Sequence, residues 1–513
     1  MGKTRGAIAA GHSHTAAAGQ IIFDQGGNAF DAIAAAILTS FVVEPTLTSA
    51  AGGGFCLAHP VEGAPVLYDF FTQTPREGKA LADLDFYEMA VNFGDAVQAF
   101  HVGLGAMATP GNLAGVWTVQ QELGRLPFQD VAQPAIAAAR FGVPISAFQD
   151  FCINTVLAPI LQARAEGRRI YAPQGRLLRE GELFLQTDFA NTLETLAHQG
   201  IDLFYGGDIG AQLVADCAQE GGYLTREDLA DYQVIRRAPL RFNYRGHTLL
   251  TNPPPSSGGA LLAFTLQLLA QRDLGAMPWG SLGHLEALVQ AMQLTNQARS
   301  DGYDAHIHDP DIAAQFLGAD HLTPYLEAMA SGLNKWGSTT HVSVIDEWGN
   351  AASATTSNGE GSGYVIPNTG IMVNNMLGEA DLNPQGFHQW QRNRRLSSMM
   401  APTMILQDQT PSQVLGSGGS NRIRTVLTQV IANILDFGMG MEEAIARPRL
   451  HWEAGFLNLE PGLAAGLDLA PPSQRLQWQA QNMFFGGVHG VGRDDQGEFW
   501  GAGDRRRGGA FLV

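Results

Sequence analysis

The chain has 513 residues, a formal net charge of −18 and 45% hydrophobic residues. An acidic chain with no basic stripe is not built to hold nucleic acid, and its longest apolar run, Ala32–Val43, is too short to span a bilayer. Cys56, Cys152 and Cys217 are odd in number and far apart, which excludes a disulfide framework and a CxxC site and predicts buried thiols. At about 150 residues per domain the length allows two to four domains, or one large layered domain.

The opening "MGKTRGAIAAGHSH" lacks the apolar core of a secretory leader, so no signal peptide is expected. That predicts a cytoplasmic protein unless the chain is a trimmed mature form. From about residue 5 to 60 the pattern is strand, helix, then a glycine-rich turn. Apolar residues stand at helical spacing on both sides of Gly26-Gly27-Asn28, and Ala32–Val43 reads as a buried helix. "AAGGGFCLAH" then feeds a strand. The stretch from about 110 to 240 is rich in helical patterns with stops at Pro110, Pro144 and Pro173. Thr225, with Asp228 three residues on, reads as a helix N-cap. "YRGHTLLTNPPPSSGGALLAFTLQLL" is strand, proline turn and helix.

The stretch "NKWGSTTHVSVIDEWGN" begins at Asn334. Thr340, Val342 and Val344 alternate with Thr339, His341 and Ser343, and Glu347–Asn350 signals a turn, so this is a strand. Its two threonines are either ordinary strand residues or the new N-terminus of a chain that cuts itself before Thr339. Beyond it lie short strands and Gly/Ser/Asn loops, with no repeat and no low-complexity linker. Taken together, the elements predict an α/β chain with sheets central and helices outside, a stacked αββα arrangement.

No G-x-S-x-G elbow, P-loop or strand-borne G-x-G-x-x-G is present. His12 and His14, like His306 and His308, have HxH spacing without a second cluster, so they read as loop or core histidines rather than metal ligands. "LGSGGSN" (Leu415–Asn421) is a tight turn or an anion nest.

Considered as a set, "NPPPSSGG", "TTHVSVIDEWGNAASATTSN", Asn374-Asn375, "RRLSSMMAPT" and "LGSGGSNRIRTVLTQVI" occur in the order found in the gamma-glutamyltranspeptidases, which this chain resembles from about residue 6 to 510. "GGNAFDAIAA", "EPTLTSAAGGGF" and "ATPGNLAG" match as well. The resemblance implies a four-layer αββα sandwich of the N-terminal-nucleophile hydrolase type with antiparallel central sheets. It implies self-cleavage between Ser338 and Thr339 into a large subunit, residues 1–338, and a small catalytic subunit, residues 339–513. The two would form one core as a heterodimer.

Thr339 would then be nucleophile and, through its freed α-amine, its own base. That amine has an ordinary pKa of about 7.7–8.0, so part of it is neutral at physiological pH. Ser357 falls where the family hydrogen-bonds the nucleophile. Asn358 falls, after a small deletion, where it contacts the carboxyl end of the substrate. Ser397 and Ser398 match paired serines that hold the substrate carboxylate, and Gly418 and Gly419 match an oxyanion hole. Neither metal nor organic cofactor is implied. The partners implied are a small γ-glutamyl or related amide and an acceptor that is water, an amino acid or a peptide. Family members are often exported, so a periplasmic or secreted site is the alternative compartment.

Three departures bear on specificity. Phe71 stands where the family's carboxylate-binding arginine follows an Asp-Phe pair, with Arg76 the nearest alternative. Met376 replaces one acid after Asn374-Asn375, leaving Glu379, and next Asp381, to meet a substrate ammonium or to serve as solvated loop charges. The span from Asp381 to Ser397 is too short for the family's closing lid. The leading expectation is γ-glutamyl transfer or hydrolysis on glutathione-like donors. The alternatives are an acylase acting on a related amide such as a glutaryl side chain, and a non-cleaving binding module.

Overall fold

The computed structural model describes residues 2–92, 97–327, 339–383, 385–453 and 455–513. Among these, two large sheets lie face to face. The first contains β1 (Gly6–Ala10), β2 (Gly53–His59), β3 (Val66–Phe70), β4 (Ile235–Arg237), β7 (Thr340–Asp346), β8 (Ala351–Ser357) and β13 (Ala510–Leu512), in the order β13-β1-β7-β8-β2-β3-β4. The second contains β5 (Leu240–Tyr244), β6 (His247–Thr251), β9 (Thr403–Gln407), β10 (Thr410–Gly418), β11 (Gly487–Arg493) and β12 (Phe499–Gly503), in the order β12-β11-β10-β9-β6-β5. Every pairing in both sheets is antiparallel. Helices α1 (Ser13–Asp24) and α2 (Ala29–Val43) cover the first sheet. Helices α3 (Ser257–Ala270), α4 (Arg422–Leu435) and α5 (Met441–Ala446) cover the second, which completes the αββα sandwich.

The first helical hairpin follows from its sequence. Asn28 caps α2 and forms a capping box with Asp31, satisfying N–H groups the helix leaves open. Every residue of α2 is buried, as expected of a helix apolar on all sides that is enclosed by α1, the first sheet and the helix Phe128–Phe141. Thr225 caps its helix with Asp228 as anticipated. The three cysteines are buried and free. His12 accepts a hydrogen bond from the His14 backbone at 3.1 Å and so caps α1.

The alternation in β7 has a different cause from the usual core-in, water-out pattern. Both of its faces are buried. Val342 and Val344 pack in the apolar layer shared with α2. His341 and Ser343 lie between the sheets, where His341 Nδ1 meets Thr355 Oγ1 at 2.8 Å and Nε2 meets Ser343 Oγ at 2.9 Å. A Cβ on Gly416 of β10 would lie 2.2 Å from the imidazole, so the sheets close there only over glycine. Burial drives the His341 pKa well below its ordinary value, and a neutral ring suits its hydroxyl partners.

Candidate active site

Thr339 immediately precedes β7 and is 5% exposed, at a cleft of about 350 Å³. Five parts of the chain converge on it. Phe71 follows β3 and Ser357 ends β8. Met376, Glu379, Asp381 and Leu382 come from the loop after Asn374-Asn375. Ser398, Met399 and Met400 lead into β9, Ser420 precedes α4 and Ile423 lies in its first turn. That loop is pinned at its root: Asn374 Nδ2 donates to the Ala51 and Ala108 carbonyls at 2.9 and 3.0 Å.

Backbone approach is closest at the two glycines. A Cβ on Gly418 would lie 2.0 Å from the Thr339 carbonyl oxygen, so only glycine lets β10 pass. Gly419 sits at φ +121°, a conformation that favours glycine. Arg507 holds the same Thr339 carbonyl, donating from Nη1 at 3.0 Å. Ser357 Oγ accepts from the Gly359 N–H at 3.0 Å, and Ser398 Oγ from the Met400 N–H at 3.1 Å.

The charged residues that line the cleft are acidic. No arginine or lysine lines it among the described residues. Asp381 accepts from Ser420 Oγ at 2.6 Å. Glu379 is buried, and its Oε1 has no hydrogen-bond partner among the described residues. Burial, then the charges of Glu360 and Asp381, push its pKa well above the ordinary carboxylate range. Phe71 faces the cleft and stacks on Phe55 with ring centroids 5.3 Å apart. Arg395 lies behind it, donating to the Phe71 carbonyl, to Tyr232 Oη at 2.6 Å and to the Gln233 carbonyl at 2.7 Å. Arg76 pairs with Asp231 at 2.8 Å and is not a lining residue.

Of the residues singled out from sequence, Thr339, Ser357, Glu379, Asp381 and Ser398 share this cleft, and Gly418 lies against Thr339, with Gly419 next to it in the chain. Two lie elsewhere. Asn358 is in the wall, its Oδ1 accepting from Ser49 Oγ at 2.7 Å. Ser397 lines an adjoining cleft of about 620 Å³ with Trp390 and Arg394, which meets the first at Leu382. Ser397 and Ser398, neighbours in the chain, thus line different clefts. Ser338 lies outside the described residues.

Sequence reasoning missed the back of β7. Glu44 directly follows α2 and is 2% exposed. Its carboxylate accepts from Thr15 Oγ1 at 2.7 Å and from Thr340 Oγ1. The available signal was a lone acid ending the apolar run of α2, in "SFVVEP".

Residues 15–513 match the family model described as Gamma-glutamyltranspeptidase. The chain is 31% identical to the Acylase ACY 1 proenzyme of Pseudomonas sp. (strain SE83), over 97% of this chain and 92% of that protein. It is 28% identical to the Glutathione hydrolase proenzyme of Escherichia coli (strain K12), over 98% and 90%. The crystal structure of cephalosporin acylase from Bacillus halodurans superposes with a TM-score of 0.85 at 23% identity, covering 99% of this chain and 96% of that one, which supports the fold. With the family model spanning nearly all of it, the chain belongs to the gamma-glutamyltranspeptidase family.

Proposed function

We propose that this chain is a self-processing threonine acyltransferase or amidohydrolase whose acyl donor carries a cationic head. Thr339 Oγ attacks the amide carbonyl carbon, and its proton passes by way of the Thr339 α-amine to the departing nitrogen. The C–N bond breaks, and the resulting ester passes its acyl group to water or to an amine acceptor. Developing negative charge on the carbonyl oxygen is met by the backbone at Gly418 and Gly419. One such donor is commonly worth about 10²–10³ in rate.

One observation carries the donor assignment: the cleft beside Thr339 contains two carboxylates and, among the described residues, no lining arginine or lysine. A γ-glutamyl group offers an ammonium and a carboxylate. A glutaryl group offers only the carboxylate, and a 4-aminobutanoyl group only the ammonium. Glu379 favours the ammonium, and Phe71 gives a carboxylate no partner. An unpaired buried carboxylate costs roughly 2–5 kcal/mol, or tens to thousands in rate. The donor order supported is therefore 4-aminobutanoyl, then γ-glutamyl, then glutaryl. The family model's description, with relatives named as an acylase and a glutathione hydrolase, keeps both γ-glutamyl and other acyl donors in view.

Intact-mass measurement beside a Thr339→Ala control tests the nucleophile. Two chains meeting at Thr339 are expected in the parent alone. The 4-nitroanilides of the three acyl groups then test the donor. A glutaryl rate above both others would overturn the assigned head group while leaving the nucleophile standing.

A further inference from the structure

The reaction described above leaves one buried carboxylate near Thr339 unused, and it lies on the opposite face of β7 from the cleft. Thr339 shares its face with His341 and Ser343, and Thr340 shares its face with Val342 and Val344, toward α2. Glu44 waits there at the C-terminal end of α2, where the helix dipole disfavours a negative charge. Burial disfavours it further. An apolar residue in this layer would avoid both costs, so the hydroxyls of Thr15 and Thr340 are what hold the carboxylate in place.

The surrounding backbone is shaped around this contact. A Cβ on Gly11 would lie 2.3 Å from Glu44 Oε2 and 2.7 Å from Thr340 Oγ1. Arg507, whose charge acts on Glu44, donates to the Thr339 carbonyl. The peptide joining Thr339 to Thr340 is thus gripped from two sides, through the Thr339 carbonyl and through the Thr340 hydroxyl.

We propose that Glu44 is a positioning residue for self-cleavage, fixing Thr340 so that the Thr339 hydroxyl is aimed at the preceding carbonyl carbon. The inference rests on the reading of Thr339 as the residue before which the chain cuts. In that step the Thr339 hydroxyl adds to the carbonyl carbon of residue 338, and its proton passes to the departing Thr339 nitrogen. Water then hydrolyses the resulting ester. Glu44 touches none of the reacting atoms and acts through Thr340.

The protonation state of Glu44 supplies a readout that packing alone would not. Burial raises its pKa to about 7, against the Thr340 and Thr15 hydrogen bonds and the charge of Arg507. The groups facing it are Thr15 from α1, Thr340 from β7 and Arg507 from the C-terminal segment, and Arg507 is shared with Cys152, Asp504 and Glu360. Ionised Glu44 accepts from both hydroxyls, whereas the protonated acid gives up one acceptor oxygen. Self-cleavage is therefore faster above pH about 7 than below it. The uncut chain has no α-amine at Thr339, so that amine cannot be the source of such a limb.

The test follows pulse-labelled full-length chain after exchange into buffers on either side of pH about 7, reading the uncut fraction over time. Glu44→Gln and Thr340→Val are each expected to slow cutting about tenfold to a hundredfold and to flatten the limb. The double variant is expected to be no slower than the slower single one. Thermal melts check folding, and if Glu44→Gln does not fold, Thr340→Val carries the test alone. Parental rates and an intact limb in the folded variants, or additive losses in the double one, overturn the role of Glu44 and leave Thr339 standing. A parent that never cuts, like its Thr339→Ala control, removes both.

Discussion

Two buried carboxylates flank the start of β7, and burial raises the pKa of both. Behind the strand, Glu44 is closed in by two hydroxyls and influenced by Arg507. In front, Glu379 has an oxygen with no partner among the described residues, and the charges acting on it are those of Glu360 and Asp381. The same side chain in equal burial therefore has two different meanings. A carboxylate whose acceptors are filled by its own fold is part of the scaffold. On the proposed function, one left open beside Thr339 is a binding element whose partner arrives with the substrate. Each region has its own way of being broken.

The largest expected effect is in front. Glu379→Gln keeps the shape and removes the charge, so 4-aminobutanoyl and γ-glutamyl donors lose a factor of tens to thousands in kcat/KM. The variant is at the same time as stable as the parent or more so, because an uncompensated buried acid has gone. Activity and thermal melts measured together check the pair of outcomes. Equal loss of both would make Glu379 a scaffold residue like Glu44.

Phe71→Arg sharpens the front region from the other side. It offers a guanidinium where the cleft has none and is expected to shift preference toward glutaryl over 4-aminobutanoyl donors by about tenfold, read as a ratio of kcat/KM values. An unchanged ratio would mean that position 71 does not meet the acyl head.

The remaining effect is behind the strand, and it concerns stability. Glu44 has an ordinary value of 4.5 and a folded value of about 7. Between these the folded state binds the extra proton, so the contribution of Glu44 is fully present below pH 4.5 and is lost as pH rises through about 7. The shift corresponds to about 3 kcal/mol. Melting curves of Glu44→Gln and the parent are expected to move apart by that scale as pH rises across the window, with the variant the less pH-sensitive. Parallel curves would place the titration elsewhere.

Much of the fold was legible because it depends on local pattern. Helices on either side of Gly26-Gly27-Asn28, the Thr225 cap and the alternation in β7 follow from periodicity and capping, which neighbouring residues set. The burial of both faces of β7 was not legible, since His341 and Ser343 look solvent-facing until a second sheet closes over them.

The sequence by itself determined the family, the layered α/β architecture, and the chemistry gathered around Thr339, including the aromatic residue that stands where a carboxylate-binding arginine would be. Residue identities and their order were enough for those. Tertiary structure alone decided which neighbours in the chain part company. Ser398 faces the cleft while Ser397 faces the next one, and Asn358 turns into the wall. It alone brought Glu44 to Thr340 across 296 residues of chain. The physical reason is common to all of these. The direction of a side chain in extended backbone alternates with each residue, and contact across sheets depends on how layers stack, which local sequence pattern does not encode.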